Sequence, residues 1–166
     1  YSRLGQYQQA IQAFQQAIQL QPTYAEAYCQ QGIAFAKLGY YQEAIATFKQ
    51  GIQVQPDYAD AYFNLALAHA ELDHYDLAAE VLKQGLVIQP DNVKAWYNLG
   101  LIYRQSNQWE KAAEALKRAV QHQPDFSEAH FELGQIYLHQ KKETAALSEY
   151  FLLEKLDQKL AAQLYR

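Results

Sequence analysis

Apolar residues recur at helical spacing along nearly the whole chain. Tyr7, Ala10, Ile11, Phe14, Ala17 and Ile18 fall on one face of a helical run, and Gln8, Gln9, Gln12, Gln15, Gln16 and Gln19 take the other. That regular spacing reads the glutamine-rich segment as the solvated face of an amphipathic helix, not as an aggregation-prone tract. The fullest pattern lies in VKAWYNLGLIYRQSNQWEKAAEALKRAVQHQPDF, residues 93–126. There Trp96, Leu99, Gly100 and Tyr103 share one helical face, Ala112, Leu116 and Ala119 share one face of a second run, and Pro124 closes the unit. A shift of 34 residues brings the pattern back, and Pro22, Pro56, Pro90 and Pro124 all lie in that register. A fixed period of this size means an array of small helical units, each packed on its neighbours.

Local signals place the helix ends. Thr23 with Glu26, Asp57 with Asp60 and Asp125 with Glu128 read as capping boxes. Asp91 keeps the cap in the remaining copy, although Lys94 breaks its second half. Helix starts are therefore expected near residues 24, 58, 92 and 126. After the first of these a helix runs to about Leu38, and Gly39 supplies a left-handed residue at its end. The next helix begins near Tyr41 and turns Ala44, Ile45, Phe48 and Ile52 inward. Gly51 and Gly85 sit mid-helix, where glycine is disfavoured, and are expected to let the next helix approach closely. Gly32, Ala66, Gly100 and Gly134 recur at one slot and are expected to let the two helices of each pair touch.

The series Trp96-x-x-Leu99-Gly100-x-x-Tyr103, then Ala112, Leu116, Ala119 and Pro124, resembles the tetratricopeptide repeat, and the likeness covers nearly the whole chain. The resemblance implies an all-α fold: a right-handed superhelical solenoid of antiparallel helix pairs with a concave groove, serving as a protein-binding scaffold. In this register 1–24 is the second half of a repeat, and 25–58, 59–92 and 93–126 are full repeats. Residues 127–158 form a degenerate terminal repeat, and 159–166 start a further or capping helix. The repeat at 59–92 is looser, with His69 in the slot of Tyr103 and Asp73 in place of a turn glycine. In the last copy His130 stands where Trp96 stood, and Gln158 where proline is expected. Tyr1 falls in the slot of Tyr103, so the chain is expected to begin midway through a first helix, as a fragment of a longer protein.

Composition narrows the function classes. The chain has 166 residues and a net charge of −4, which argues against a nucleic-acid footprint. It contains no apolar run long enough for a membrane span. Cys29 is the single cysteine, so no internal disulfide is possible; this favours a reducing, cytoplasmic compartment without excluding an extracytoplasmic one. Heavy glutamine use with no methionine has a bacterial look. No metalloprotease, nucleophile-elbow or phosphate-loop motif is present, so no catalytic, metal or cofactor residues are assigned. His69 and His74 lie five apart, a poor spacing for one helical face, and all five histidines, with His122, His130 and His139, are read as packing or surface residues.

By resemblance to the family, the second, fifth, sixth, ninth, twelfth and thirteenth residues of each repeat line the concave groove. The fifth row reads Cys29, Phe63, Tyr97, Phe131; the ninth Ile33, Leu67, Leu101, Gln135; the twelfth Ala36, Ala70, Arg104, Leu138. The expected partner-binding set is Phe63, Asn64, Leu67, Lys94, Tyr97, Asn98, Leu101, Arg104, Phe131 and Leu138. Such a groove is apolar down its middle and suits an amphipathic helix or extended peptide. Asn64 and Asn98 offer amides to a bound backbone. The competing reading is that the fifth and ninth rows simply pack against neighbouring repeats. A family subtype that clamps a C-terminal carboxylate is matched poorly: Cys29 and Ile33 occupy slots for Lys and Asn, and Asn98 replaces an Arg. Asn64 and Lys94 do fit that clamp, while Lys37 and Arg104 leave a small basic spot.

Three roles follow. The first is an adaptor that binds a protein or peptide partner in the groove. The second is self-association through the apolar face of Tyr7, Ile11, Phe14 and Ile18, which lacks its own partner helix in the sequence register. The third is a non-catalytic targeting arm of a larger enzyme.

Overall fold

The computed structural model describes residues 2–164; Tyr1, whose register slot was assigned above, lies outside them. The described residues form ten helices and no strand. They are α1 Ser2–Leu20, α2 Ala25–Lys37, α3 Tyr41–Val54, α4 Ala59–Ala70, α5 Tyr75–Ile88, α6 Val93–Gln105, α7 Trp109–His122, α8 Ser127–His139, α9 Glu143–Leu156 and α10 Gln158–Leu164. They group into two compact units, the first ending at Pro90 and the second beginning at Asp91. In the first, α2 packs on α3 and α4 on α5, with α1 against α2. In the second, α6 packs on α7 and α8 on α9, and α10 closes on both α8 and α9.

The turn inside each pair is built the same way. Gly39, Asp73, Asn107 and Lys141 have φ of 80°, 59°, 59° and 58°. In the first of these turns the Gly39 N–H donates to the Ala36 carbonyl and the Tyr40 N–H to that of Phe35, which closes the helix with a left-handed residue. The same two bonds recur at Asn107 and Gln108, and at Lys141 and Lys142. Gly5 occupies the corresponding sequence slot one period earlier, yet α1 runs through it as unbroken helix.

The turn between pairs corrects the capping expectation. The Tyr24 N–H donates to the Gln21 carbonyl at 3.1 Å, Tyr58 to Gln55 and Phe126 to Gln123 at 3.2 Å each. Gln-Pro-Thr-Tyr and its copies are thus β-turns with proline at the second position, which its fixed φ favours. Thr23, Asp57 and Asp125 are spent inside the turn, and the aromatic after each becomes the N-cap, with no side-chain cap bond. Asn92 takes that cap position in α6, and its Oδ1 accepts from the Ala95 N–H at 2.9 Å. Asp91, the expected cap, does not. Where Gln158 replaces the turn proline, Asp157 itself caps α10, accepting from the Lys159 N–H at 2.9 Å and the Leu160 N–H at 3.1 Å.

Ala44, Ile45 and Phe48 are buried with Cys29, Leu65 and Ala68, while Ile52 packs half-buried against that core. The small residues admit different neighbours. A Cβ on Gly100 would lie 2.5 Å from Leu116 Cγ and 3.3 Å from the Ala112 carbonyl oxygen, so α6 and α7 meet there at backbone distance. On Gly32 it would strike the Phe48 ring. Gly51 and Gly85 receive α2 and α4, the preceding helices of their own pairs, rather than the next helix as the sequence suggested. Gly134 receives Leu164 of α10, not its pair partner α9.

Candidate functional site

In the first unit α2 and α4 border a cavity of about 350 Å³. Ile33, Ala36 and Leu67 supply apolar lining, Asn64 a polar group, and Lys37, Tyr41 and Glu71 charged and hydroxyl groups. Leu67 is 39 % exposed although it sits among buried neighbours on α4, because its slot in the helix turns away from α5. The Asn64 amide nitrogen is already committed: it donates to the Asp60 carbonyl at 2.8 Å and lies 3.8 Å from Cys29 Sγ. Its carbonyl oxygen is the group left for a ligand N–H. Tyr41 donates to Glu71 at 3.2 Å. Tyr41 is the first residue of α3, outside the six groove positions, so the repeat register alone does not find it.

Phe63 departs from its expected place. It is buried, and a Cβ on Gly85 would lie 2.5 Å from the Phe63 ring. The mid-helix glycine of α5 makes room for this side chain, which is core rather than groove lining. Cys29, in the same row, is also buried; burial first, then the nearby Asp60 charge, pushes its thiol up to about 11, so it is no nucleophile at neutral pH.

In the second unit Tyr97, Asn98, Leu101 and Arg104 of α6 and Phe131 and Leu138 of α8 are all partly exposed, and Lys94 is exposed. Tyr97 packs its ring 4.9 Å from that of Phe126. Phe131 and Leu138 pack against Leu153, Ala161 and Leu164, so α9 and α10 cover part of the apolar surface assigned to a partner. Arg104 is engaged too: its Nη1 lies 3.2 Å from Glu132 Oε2 and donates to Gln135 Oε1 at 3.1 Å. Burial pushes the Glu132 carboxyl up, and Arg104 opposes that shift. The expected basic spot is therefore partly neutralised at Arg104. Glu132 occupies the sixth row and Gln135 the ninth; their polar identity was visible in the sequence, but their contacts to the preceding repeat were not.

The histidines divide. His69 is buried with Nδ1 unpartnered, and burial lowers its pKa. Its ring lies 5.9 Å from that of His74 across the turn, so the two meet despite their spacing. No group of three metal-ligating side chains occurs among the described residues. No described helix is long and apolar enough to cross a membrane.

Comparison with known proteins agrees with this architecture. Family models described as tetratricopeptide repeat match residues 66–120 and 97–162, and models described as TPR repeat match 1–39 and 34–73. A crystal structure of MamA is similar at 23 % identity over 95 % of this chain and 92 % of that one, with a TM-score of 0.87. MamA from Desulfovibrio magneticus is 27 % identical over 95 % and 89 % of the two chains, with a TM-score of 0.83. YrrB, described as a TPR protein with an unusual peptide-binding site, is 18 % identical over 98 % and 84 %, with a TM-score of 0.79. No curated protein sequence matches. The fold is an all-α helical solenoid of such repeats.

Proposed function

We propose that this chain, which belongs to the tetratricopeptide repeat family, is a non-catalytic adaptor that holds a segment of a protein partner on its first-helix faces. The family's fold supports a protein-interaction scaffold in general; the partner surface is our reading. The observation that carries it is the α2–α4 cavity, where Leu67 stays exposed beside Ile33 and Ala36 with the Asn64 carbonyl oxygen at hand. An aliphatic or aromatic side chain of the partner would bury there, and a backbone N–H would meet Asn64. In the second unit Tyr97, Asn98 and Leu101 offer the matching surface, with Lys94 at its margin. Net charge of −4 supports a protein rather than a nucleic-acid partner.

The test is capture from the source lysate, comparing the wild type with a Leu67→Glu, Tyr97→Glu variant shown by circular dichroism to be folded. A protein retained by the wild type and released by the variant is the expected result. Equal retention by both would overturn the reading. Phe63 is unsuited to this test, since a charge there would enter the core. The face of Tyr7, Ile11, Phe14 and Ile18 is only half-buried, which supports self-association as the second reading. A strict monomer in sedimentation at high concentration would remove it.

A further inference from the structure

His130 begins as an oddity of the last full helix pair. It occupies the slot filled by Tyr28, Tyr62 and Trp96 in the earlier copies, and its neighbour Glu149 takes the slot of Thr47, Val81 and Ala115. His130 is buried and Glu149 partly so: their side chains are 7 % and 14 % exposed. Nδ1 of the ring is 2.6 Å from Glu149 Oε2 on α9, and Nε2 is 2.9 Å from the Pro124 carbonyl oxygen in the turn before α8. Tyr62 makes the corresponding tie in its own repeat, its hydroxyl donating to the Pro56 carbonyl at 2.9 Å. That hydroxyl needs no proton from solvent near neutrality. The histidine does.

Both groups facing the ring are acceptors when Glu149 is ionised. A carbonyl oxygen cannot donate, and a carboxylate cannot either. A neutral imidazole carries one N–H and satisfies one of them, while its other nitrogen points a lone pair at an oxygen. Only the imidazolium donates to both. We propose that His130 and Glu149 form a proton-dependent latch holding α9 and the turn at Pro124 onto α8. The latch is closed while the ring carries both protons and loosens when one is lost. The second unit would then open locally at α9 and α10 before the rest of it unfolds.

The surroundings isolate the pair. Among the ionisable groups of α6, α7, α9 and α10, all of which touch α8, Glu149 is the one that acts on the ring. On α8 itself Glu132 is turned to Arg104, and Glu128 is exposed. The hydrogen bond to Glu149 raises the ring's pKa above 6.5, burial opposes, and the Pro124 carbonyl adds to the rise. For a histidine with a raised folded pKa, the stabilisation is complete below the unfolded value of about 6.5. It disappears as pH climbs through the folded value. The latch therefore opens on the alkaline side.

The test combines ¹⁵N spectra of the ring with amide exchange over a pH series. Both His130 ring nitrogens should show imidazolium shifts below neutrality. Exchange in α9 and α10 should accelerate through the ring's own titration, with about tenfold loss of protection per unit of pKa elevation. A His130→Tyr, Glu149→Val variant copies the Tyr62 and Val81 pairing; it should fold, keep the tie to Pro124 and lose that pH dependence. A neutral ring at pH 6, or the same pH dependence in the double variant, would overturn the proposal.

Discussion

Lys141 holds a backbone conformation that its side chain resists. At φ 58° it fills the left-handed slot given to Gly39 one way along the array, and to Asn107 and Asp73 at the other turns. Asn and Asp enter that region more readily than lysine, and a non-glycine residue there costs roughly 1–2 kcal/mol. Lys141→Gly should therefore stabilise the second unit by about 1 kcal/mol, read as a higher denaturation midpoint. Gly100 carries the opposite constraint. Its missing Cβ is the space that Leu116 and the Ala112 carbonyl occupy, so Gly100→Leu should destabilise by about 1–3 kcal/mol or more. An unchanged melting temperature for Gly100→Leu would contradict the α6–α7 packing. The sequence signalled Gly39 and Gly100, because glycine in register has few other uses. It did not signal that Phe63 is core: one aromatic in a groove row looks like another until the glycine opposite it, Gly85, is placed.

The helix starts after the prolines were legible to within a residue and their mechanism was not, while the turn expected at Gly5 is absent from the continuous α1. The starts at Ala25, Ala59, Val93 and Ser127 lie next to the positions read from Thr23, Asp57, Asp91 and Asp125 before them. Those residues do not cap, because the Gln-Pro turn consumes one more residue than a capping box allows. Asn92→Ala should cost about 1 kcal/mol of stability, whereas Thr23→Ala should change little. Chemical denaturation of the two single variants separates them. Equal losses would restore the capping-box account. The last helices were harder to read. Gly134 accepts Leu164, so α10 is part of the packing of the second unit, and Phe131 and Leu138 serve it as core neighbours. The sequence read 159–166 as a further or capping helix, but it did not show that Gly134 would receive Leu164. The His130–Glu149 pair was equally hidden: the register marked His130 as a departure but gave Glu149 no meaning until α9 was folded back on α8.

For the whole molecule, the period of 34 residues carried the fold class, because four prolines and several small and aromatic slots repeat together. The candidate binding surface was legible only in outline. Leu67, Asn64, Tyr97, Asn98 and Leu101 remain partly or fully accessible as their slots imply. Arg104 is tied to Glu132 and Gln135 of the next first helix, and Phe63 is buried against Gly85 of its own pair, since side-chain pairing between helices is not written in either helix alone. The chain should accordingly prefer ligands with apolar anchors over ligands that present only a carboxylate to Arg104. The most direct test is chemical-shift mapping on ¹⁵N-labelled protein, titrated with a peptide from a captured partner. Perturbations centred on Ile33, Asn64 and Leu67 in the first unit, or on Tyr97, Asn98 and Leu101 in the second, with loss of binding in Leu67→Glu, Tyr97→Glu, are the predicted result. Perturbations confined to the outward residues of the second helices, such as Ala46, Gln50, Glu80 and Glu114, with affinity intact in the variant, would contradict it.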